Sequence, residues 1–306
     1  MDLNPSNLKD GCLLTLRYFG IFRYPLTLQE IHRFNRTSAS VQETQKALDD
    51  LLNHAKIYKS GGYFMPESKE EWVLERTKGN ARAFHLLDKS GKYVSVIASC
   101  PFVRGIAISG SLSKFYASEK TDIDYFIITA ADRLWIARTL LHLFKKLTFL
   151  TGHQHYFCMN YFVDTKSLKI THPNLYTSIE IATLLPVYNS KIIQQFVDEN
   201  EWFREYLPNH PGLVNFKYLL QNKRLLVKKS LEWIIDLMFP AKLNKALMNL
   251  TDWKWKRKWK HYGYPEMDYD RAFLTELHIS KNHPVDYEKK VLTSMSQIQV
   301  PIPPNI

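Results

Sequence analysis

Apolar residues recur at helical spacing from Leu8 to Phe22, and Tyr24-Pro25 ends that run. Two short helices follow, each opened by a capping box: Thr27 with Glu30 ahead of Leu28 to Phe34, and Ser40 with Glu43 ahead of Val41 to Asn53. Ile57-Tyr58-Lys59 and Tyr63-Phe64-Met65 flank Ser60-Gly61-Gly62, which reads as a hairpin with glycine at its tip. Glu67 to Ser90 is charged with helical apolar markers, and Tyr93 to Cys100 reads as a further helix. The pattern then changes to short apolar runs: Ile106 to Ser109, Tyr125 to Ile128 and Tyr156 to Asp164 predict strands, with Leu168 to Ile170 as a hairpin partner of the last. A broad apolar stripe from Arg133 to Leu150 predicts a helix with Asp132 as its N-cap and Gly152 at its close. Asn174 to Tyr188, ended by Pro186, Lys191 to Phe203, Val214 to Pro240 and Lys242 to Leu250 all read as helical. The tail around Val300 to Pro304 reads as extended.

Chemistry concentrates between the first two strands. The run from Ile106 ends in Gly110-Ser111, about ten residues of loop composition follow, and Asp122 and Asp124 then lead into an apolar run. Alternation along a strand puts both carboxylates on one face with Ile123 on the other. Two carboxylates beside a glycine turn suit a hard divalent cation, which takes its other ligands from water and substrate phosphates. Glycine allows backbone N–H groups to approach a phosphate, and Ser111 adds a hydroxyl.

Gly110-Ser111 followed by Asp122-Ile123-Asp124 resembles the signature of the nucleotidyltransferase superfamily of the DNA polymerase beta type. The resemblance covers about two dozen residues. It implies an α/β (α+β) domain over 68–188 with a mixed sheet flanked by helices, Mg²⁺ (or Mn²⁺) held by Asp122 and Asp124, and phosphate contacts from Gly110, Ser111 and Lys114. It also implies transfer of a nucleoside monophosphate from an NTP to an acceptor hydroxyl on a small molecule, an RNA or a protein. The superfamily places a third carboxylate on the neighbouring strand, where this chain has Asn160. Asp164 lies four residues on, on the same face by the period of two but about 13 Å further along. Asn160 is the positional match, and it cannot serve as a base. The other implied reading is therefore a catalytically impaired protein of that fold that binds nucleotide or nucleic acid. The three helices and hairpin of residues 1–67 resemble a winged helix-turn-helix domain. The third helix, with Glu43, Asp49 and Asp50, is too acidic for a phosphate-facing reader and reads better as a structural or regulatory module.

Composition narrows the partners. The chain of 306 residues is 45% hydrophobic with a net charge of +11, which favours polyanions. Trp253 to Tyr264 alternates aromatics with cations, a composition that can stack on single-stranded nucleic acid, meet an anionic lipid surface, or pack its tryptophans on the body with lysines in water. Residues 189–306 read as a C-terminal helical region. Cys12, Cys100 and Cys158 are odd in number and far apart, so neither disulfides nor a zinc site are expected. His153 and His155 read as surface histidines, and Glu180 as part of an exposed helix stripe. With no run long enough to span a membrane and no signal-peptide pattern at Met1, the expected location is the cytoplasm.

Overall fold

The structure is a computed structural model that describes residues 7–152, 154–213, 225–238 and 242–296. The helical reading of 214–224, the extended tail at 300–304 and His153 lie outside the described residues. The N-terminal part contains α1 (Leu8–Gly20), α2 (Leu28–Phe34), α3 (Val41–Asn53) and the antiparallel pair β1 (Tyr58–Ser60) and β2 (Tyr63–Met65). Both capping boxes are made: Thr27 and Glu30 bond reciprocally at the start of α2, and Ser40 and Glu43 do so at the start of α3. Each satisfies two N–H groups that the first helical turn leaves without partners.

A single 30-residue helix, α4 (Glu70–Ser99), replaces the expected pair. Gly91 lies inside it, but one glycine costs only about 1 kcal/mol, and packing of Leu87, Tyr93, Val94 and Ile97 against the sheet exceeds that. Near its start, Arg76 holds Glu30 of α2 in two bonds of 2.7 and 2.9 Å, and its guanidinium stacks on Tyr24 and Tyr63.

Six strands form one mixed sheet. In chain order they are β3 (Val103–Ile108), β4 (Asp124–Thr129), β5 (Cys158–Asp164), β6 (Leu185–Tyr188), β7 (Phe273–Thr275) and β8 (Ile279–Asn282), and in space they run β6-β3-β4-β5-β8-β7. Only β4 and β5 are parallel; they are linked by α6 (Leu134–Thr148), with α5 (Gly110–Ser113) a single turn between β3 and β4. Tyr125, Ile127, Met159 and Phe162 face α4 and α6 on one side. Ala107, Phe126, Ile128 and Val163 face the other side, where α7 (Leu175–Ala182) and α8 (Ser190–Glu199) pack. That second core runs on without interruption into Leu16, Phe19, Ile31 and Leu48 of the N-terminal helices.

Four further expectations need correction. Pro186 does not end a helix but sits inside β6, an edge strand, where the missing N–H costs no ladder bond. Leu168 to Ile170 does not pair with β5; its neighbour is β8, so residues 189–306 are not wholly helical and supply two strands of the sheet. Asp132 does not cap α6: its φ is +58°, its side chain pairs with Lys166, and Arg133 stands at the N-cap without a side-chain bond. The helix read at 242–250 continues through the aromatic stretch as α11 (Lys242–His261), preceded by α9 (Phe203–Tyr206) and α10 (Leu225–Met238) and followed by α12 (Glu266–Ala272) and α13 (Tyr287–Ser296).

Gly79, in the middle of α4, positions the loop between β3 and β4. Its carbonyl accepts from Ala117 N–H at 3.1 Å, and a Cβ there would lie 2.3 Å from the Tyr116 ring, which packs edge-on against Tyr24. Gly79→Ala should therefore destabilise the protein by about 1–3 kcal/mol from overpacking, against the roughly 1 kcal/mol gain from helix propensity. Urea unfolding measures the difference, and a stabilised variant would refute this account.

Candidate active site at the head of the central strands

Gly110 follows β3 with φ +67°, and the turn it opens brings its Cα against the first residue of β4. A Cβ at this position would stand 2.8 Å from Asp124 Oδ2, so glycine is required twice, by conformation and by contact. Ser109 N–H donates to the Asp124 carbonyl at 3.0 Å, which pins the turn to the strand. Ser111 is exposed on the same turn. Asp122 precedes β4 on an extended segment whose Ile123 is buried among Tyr125 and Ile127, so the two carboxylates leave on the side opposite those residues.

The two acids differ. Asp122 is the more exposed and accepts from His155 Nδ1 at 2.8 Å, a partner not anticipated for that histidine. Asp124 is largely desolvated, and burial, followed by the charges of Asp122 and Glu180, pushes its carboxyl from 3.8 up to about 6; the Cys158 thiol and the Lys145 charge act in the opposite direction. Asn160 Nδ2 donates to Asp124 Oδ1 at 3.0 Å and to Cys158 Sγ at 3.1 Å. Burial and the neighbouring acids push the Cys158 thiol up to about 12, so it is no thiolate nucleophile.

A bulge decides which β5 residues share the face of Asp124. Tyr125 pairs with Met159 but Phe126 pairs with Tyr161, leaving Asn160 as the extra residue. Cys158 and Asn160 share the face that meets Asp124, and the bulge reverses the alternation beyond them. Asp164 consequently lies at the opposite end of β5 beside Thr129, on the α6 side of the sheet, and not on the face of Asn160. It is fully buried and accepts from Asp132 N–H, Lys166 N–H and His278 Nδ1 at 2.8–2.9 Å. Among the described residues, Asp132, Asp164 and His278 are the one group of three whose ligand atoms lie within 4.8 Å of one another. Its oxygens are already taken by N–H donors and by Lys166 Nζ, 2.5 Å from Asp132, so it reads as a structural clasp between β5, the start of α6 and the β7–β8 hairpin.

Lys114 lies on the same turn and is engaged within the site. Its ammonium bonds Glu180 of α7 at 2.7 Å and the Gly110 carbonyl at 3.1 Å. Glu180 is thereby a half-buried member of the site, not part of an exposed stripe. Lys145 of α6 was not among the residues expected at the site: its charge reaches both Asp124 and Cys158, and among the described residues it makes no ion pair. The signal for it was weak, since only the crossover from β4 to β5 returns the end of α6 to the head of the strands.

Comparison with family models, with curated proteins and with solved structures finds no match in any of the three. The site must be read from its own residues.

The aromatic stretch, Trp253 to Tyr264, divides its tryptophans. Trp255 and Trp259 pack on Phe273 with ring centroids 6.0 and 4.9 Å away, and Arg138 stacks on Trp255. Trp253 and the cations Lys254, Arg257, Lys258 and Lys260 stay exposed. Among the described residues no helix is long and apolar enough to cross a membrane.

A raised carboxyl has a defined consequence for stability. Folded Asp124 keeps its proton between pH 3.8 and about 6, where the unfolded chain has lost it, so its contribution to stability falls as pH rises through that window and is lowest above it. Asp124→Asn should therefore be more stable than the parent at pH 7, by about 1–3 kcal/mol, and should flatten this part of the pH dependence. Thermal midpoints measured from pH 4 to 8 test it; a destabilised variant with unchanged slope would show that Asp124 is not held in this environment.

Proposed function

We propose that the chain is a metal-dependent nucleotidyltransferase acting at Asp122 and Asp124, with a nucleotidyltransferase domain at 68–188 and a winged-helix-like module at 1–67. The observation that carries this reading is the Asp124 carboxylate: it is desolvated, pressed against a glycine turn, and flanked by two more acids, with no cation among the described residues bonded to it. Such a group gains from a divalent ion, because the ion removes the cost of holding the charge.

The donor set fits Mg²⁺ or Mn²⁺. Asp122 and Asp124 offer carboxylate oxygens, and the amide of Asn160, now bonded to Asp124 through its nitrogen, can offer its oxygen. The bound ion would supply charge neutralisation on a triphosphate. Gly110 and its flanking N–H groups and the Ser111 hydroxyl are suited to orient phosphate oxygens, and Lys145 adds positive charge from α6. Lys114 pairs with Glu180 and so holds that acid beside the turn. Asn160 cannot take a proton from an acceptor hydroxyl; Glu180, whose charge acts on Asp124, is the further carboxylate for that task. A second reading, nucleotide binding without transfer, is favoured by the same Asn160 contact. The cytoplasm remains the proposed location.

Thermal shift tests the site, and incorporation separates the two readings. Mg²⁺ or Mn²⁺ with an NTP should raise the midpoint of the parent protein, and Asp124→Asn should abolish the ligand response while raising the midpoint without ligand. Labelled-NTP incorporation into an added acceptor pool should fall at least about a hundredfold in the same variant. A ligand response that survives in Asp124→Asn, or one that needs no metal, would overturn the assignment.

A further inference from the structure

Helix α10 lies on the body through one face. Lys228 donates to the Ala98 and Val103 carbonyls, Glu232 takes two bonds from Arg104 at 2.7 and 2.9 Å, and Asp236 takes one from Arg133 at 2.7 Å. Ile235 completes that face on Phe102, Ile136 and Ala137. At 3.6 residues per turn the opposite face is then Val227, Leu231, Ile234, Leu237 and Met238, with Trp233 at its edge. Those side chains are exposed: Trp233 is 68% accessible, Leu237 72% and Val227 64%. The polarity is inverted relative to an ordinary surface helix, whose apolar stripe turns inward.

Helix α11 rests on the same small cluster through Leu243 and Leu247. Its outward positions carry Trp253, which is 55% accessible, and Lys242, Lys245, Lys254, Arg257 and Lys260. Among the described residues these cations make no ion pair, whereas the three carboxylates of the two helices, Glu232, Asp236 and Asp252, are all engaged by arginine or lysine. The outward side of α10 is thus apolar and that of α11 cationic, on two helices that rest on one cluster.

We infer that the outer faces of α10 and α11 dock on an anionic lipid surface, with the aliphatic row of α10 and the rings of Trp233 and Trp253 at the headgroup boundary and the α11 cations on the headgroups. A bilayer interface satisfies both halves of the surface: it takes up apolar side chains, and its negative potential holds lysine and arginine. A nucleic acid would meet the cations but leave the row from Val227 to Met238 in water. A second copy in a two-fold contact would meet the apolar row but bring the unpaired α11 cations of both copies towards each other. The net charge of +11 works in the same direction as the local excess.

Flotation with vesicles tests this. Vesicles of phosphatidylcholine mixed with phosphatidylglycerol should carry the full chain to the top of a gradient, phosphatidylcholine alone should do so weakly, and added salt should reduce binding. Ile234→Glu with Leu237→Glu should weaken binding at least about tenfold, and Arg257→Glu with Lys260→Glu should remove the preference for anionic vesicles. These side chains already stand in solvent, so thermal midpoints should hold; if a variant fails to fold, quenching of the parent protein's tryptophan emission by brominated lipid gives the same answer. Three results would overturn the proposal: no flotation with either vesicle, a dimer in solution that Leu237→Glu dissociates without any vesicle binding, or retention of a single-stranded oligonucleotide through Arg257 and Lys260 in place of lipid.

Discussion

The contact between Gly110 and Asp124 sets the geometry on which the rest of the candidate site depends. A left-handed backbone at the end of β3 and the absence of a Cβ allow the chain to close against a carboxylate at the start of β4. Closure removes that carboxylate from water, and among the described residues no arginine or lysine bonds it in return. A buried charge is tolerated at this cost when the group protonates or when a counter-charge arrives. The fold therefore carries an electrostatic debt at the position where its two central strands begin, while its other carboxylates of comparable burial are met: Asp164 by three N–H donors, Glu30 by Arg76 and Glu232 by Arg104.

Local chemistry made parts of this legible in the sequence. Capping boxes need only residues three apart, so the starts of α2 and α3 followed directly from Thr27, Glu30, Ser40 and Glu43. The Gly-Ser turn and the strand after Asp124 were equally local. What escaped was non-local. The short strands β7 and β8 have no alternation long enough to register, and they become strands only because β5 offers them an open edge. Pro186 pointed to a helix end because the helix signal before it was strong, yet an edge position makes it acceptable in β6.

The third position of the site shows the same limit more sharply. A strict period of two placed Asn160 and Asp164 on one face, and one extra residue in the β4–β5 ladder cancels that inference. No sequence pattern marks the bulge, since Met159, Tyr161 and Phe162 are all apolar or aromatic and suit either face. Its result is chemical as well as geometric. Asn160 and Cys158 stay with Asp124 on one face, while Asp164 is turned to the far side, where it clasps the α6 start and the β7–β8 hairpin.

That clasp ties the C-terminal strands to the machinery at the other end of the sheet. β8 joins the edge of β5, so the position of β5, and with it the bulge that presents Asn160, is held from both flanks. The hairpin is in turn covered by α11, whose Trp255 and Trp259 pack on Phe273 of β7. The inward face of α11 is thus committed to supporting the sheet, and only its outward face, with Trp253 and the unpaired cations, is available to a partner. One helix can therefore brace the site on one side and meet a surface on the other, because a pitch of 3.6 residues keeps the two sets of side chains apart.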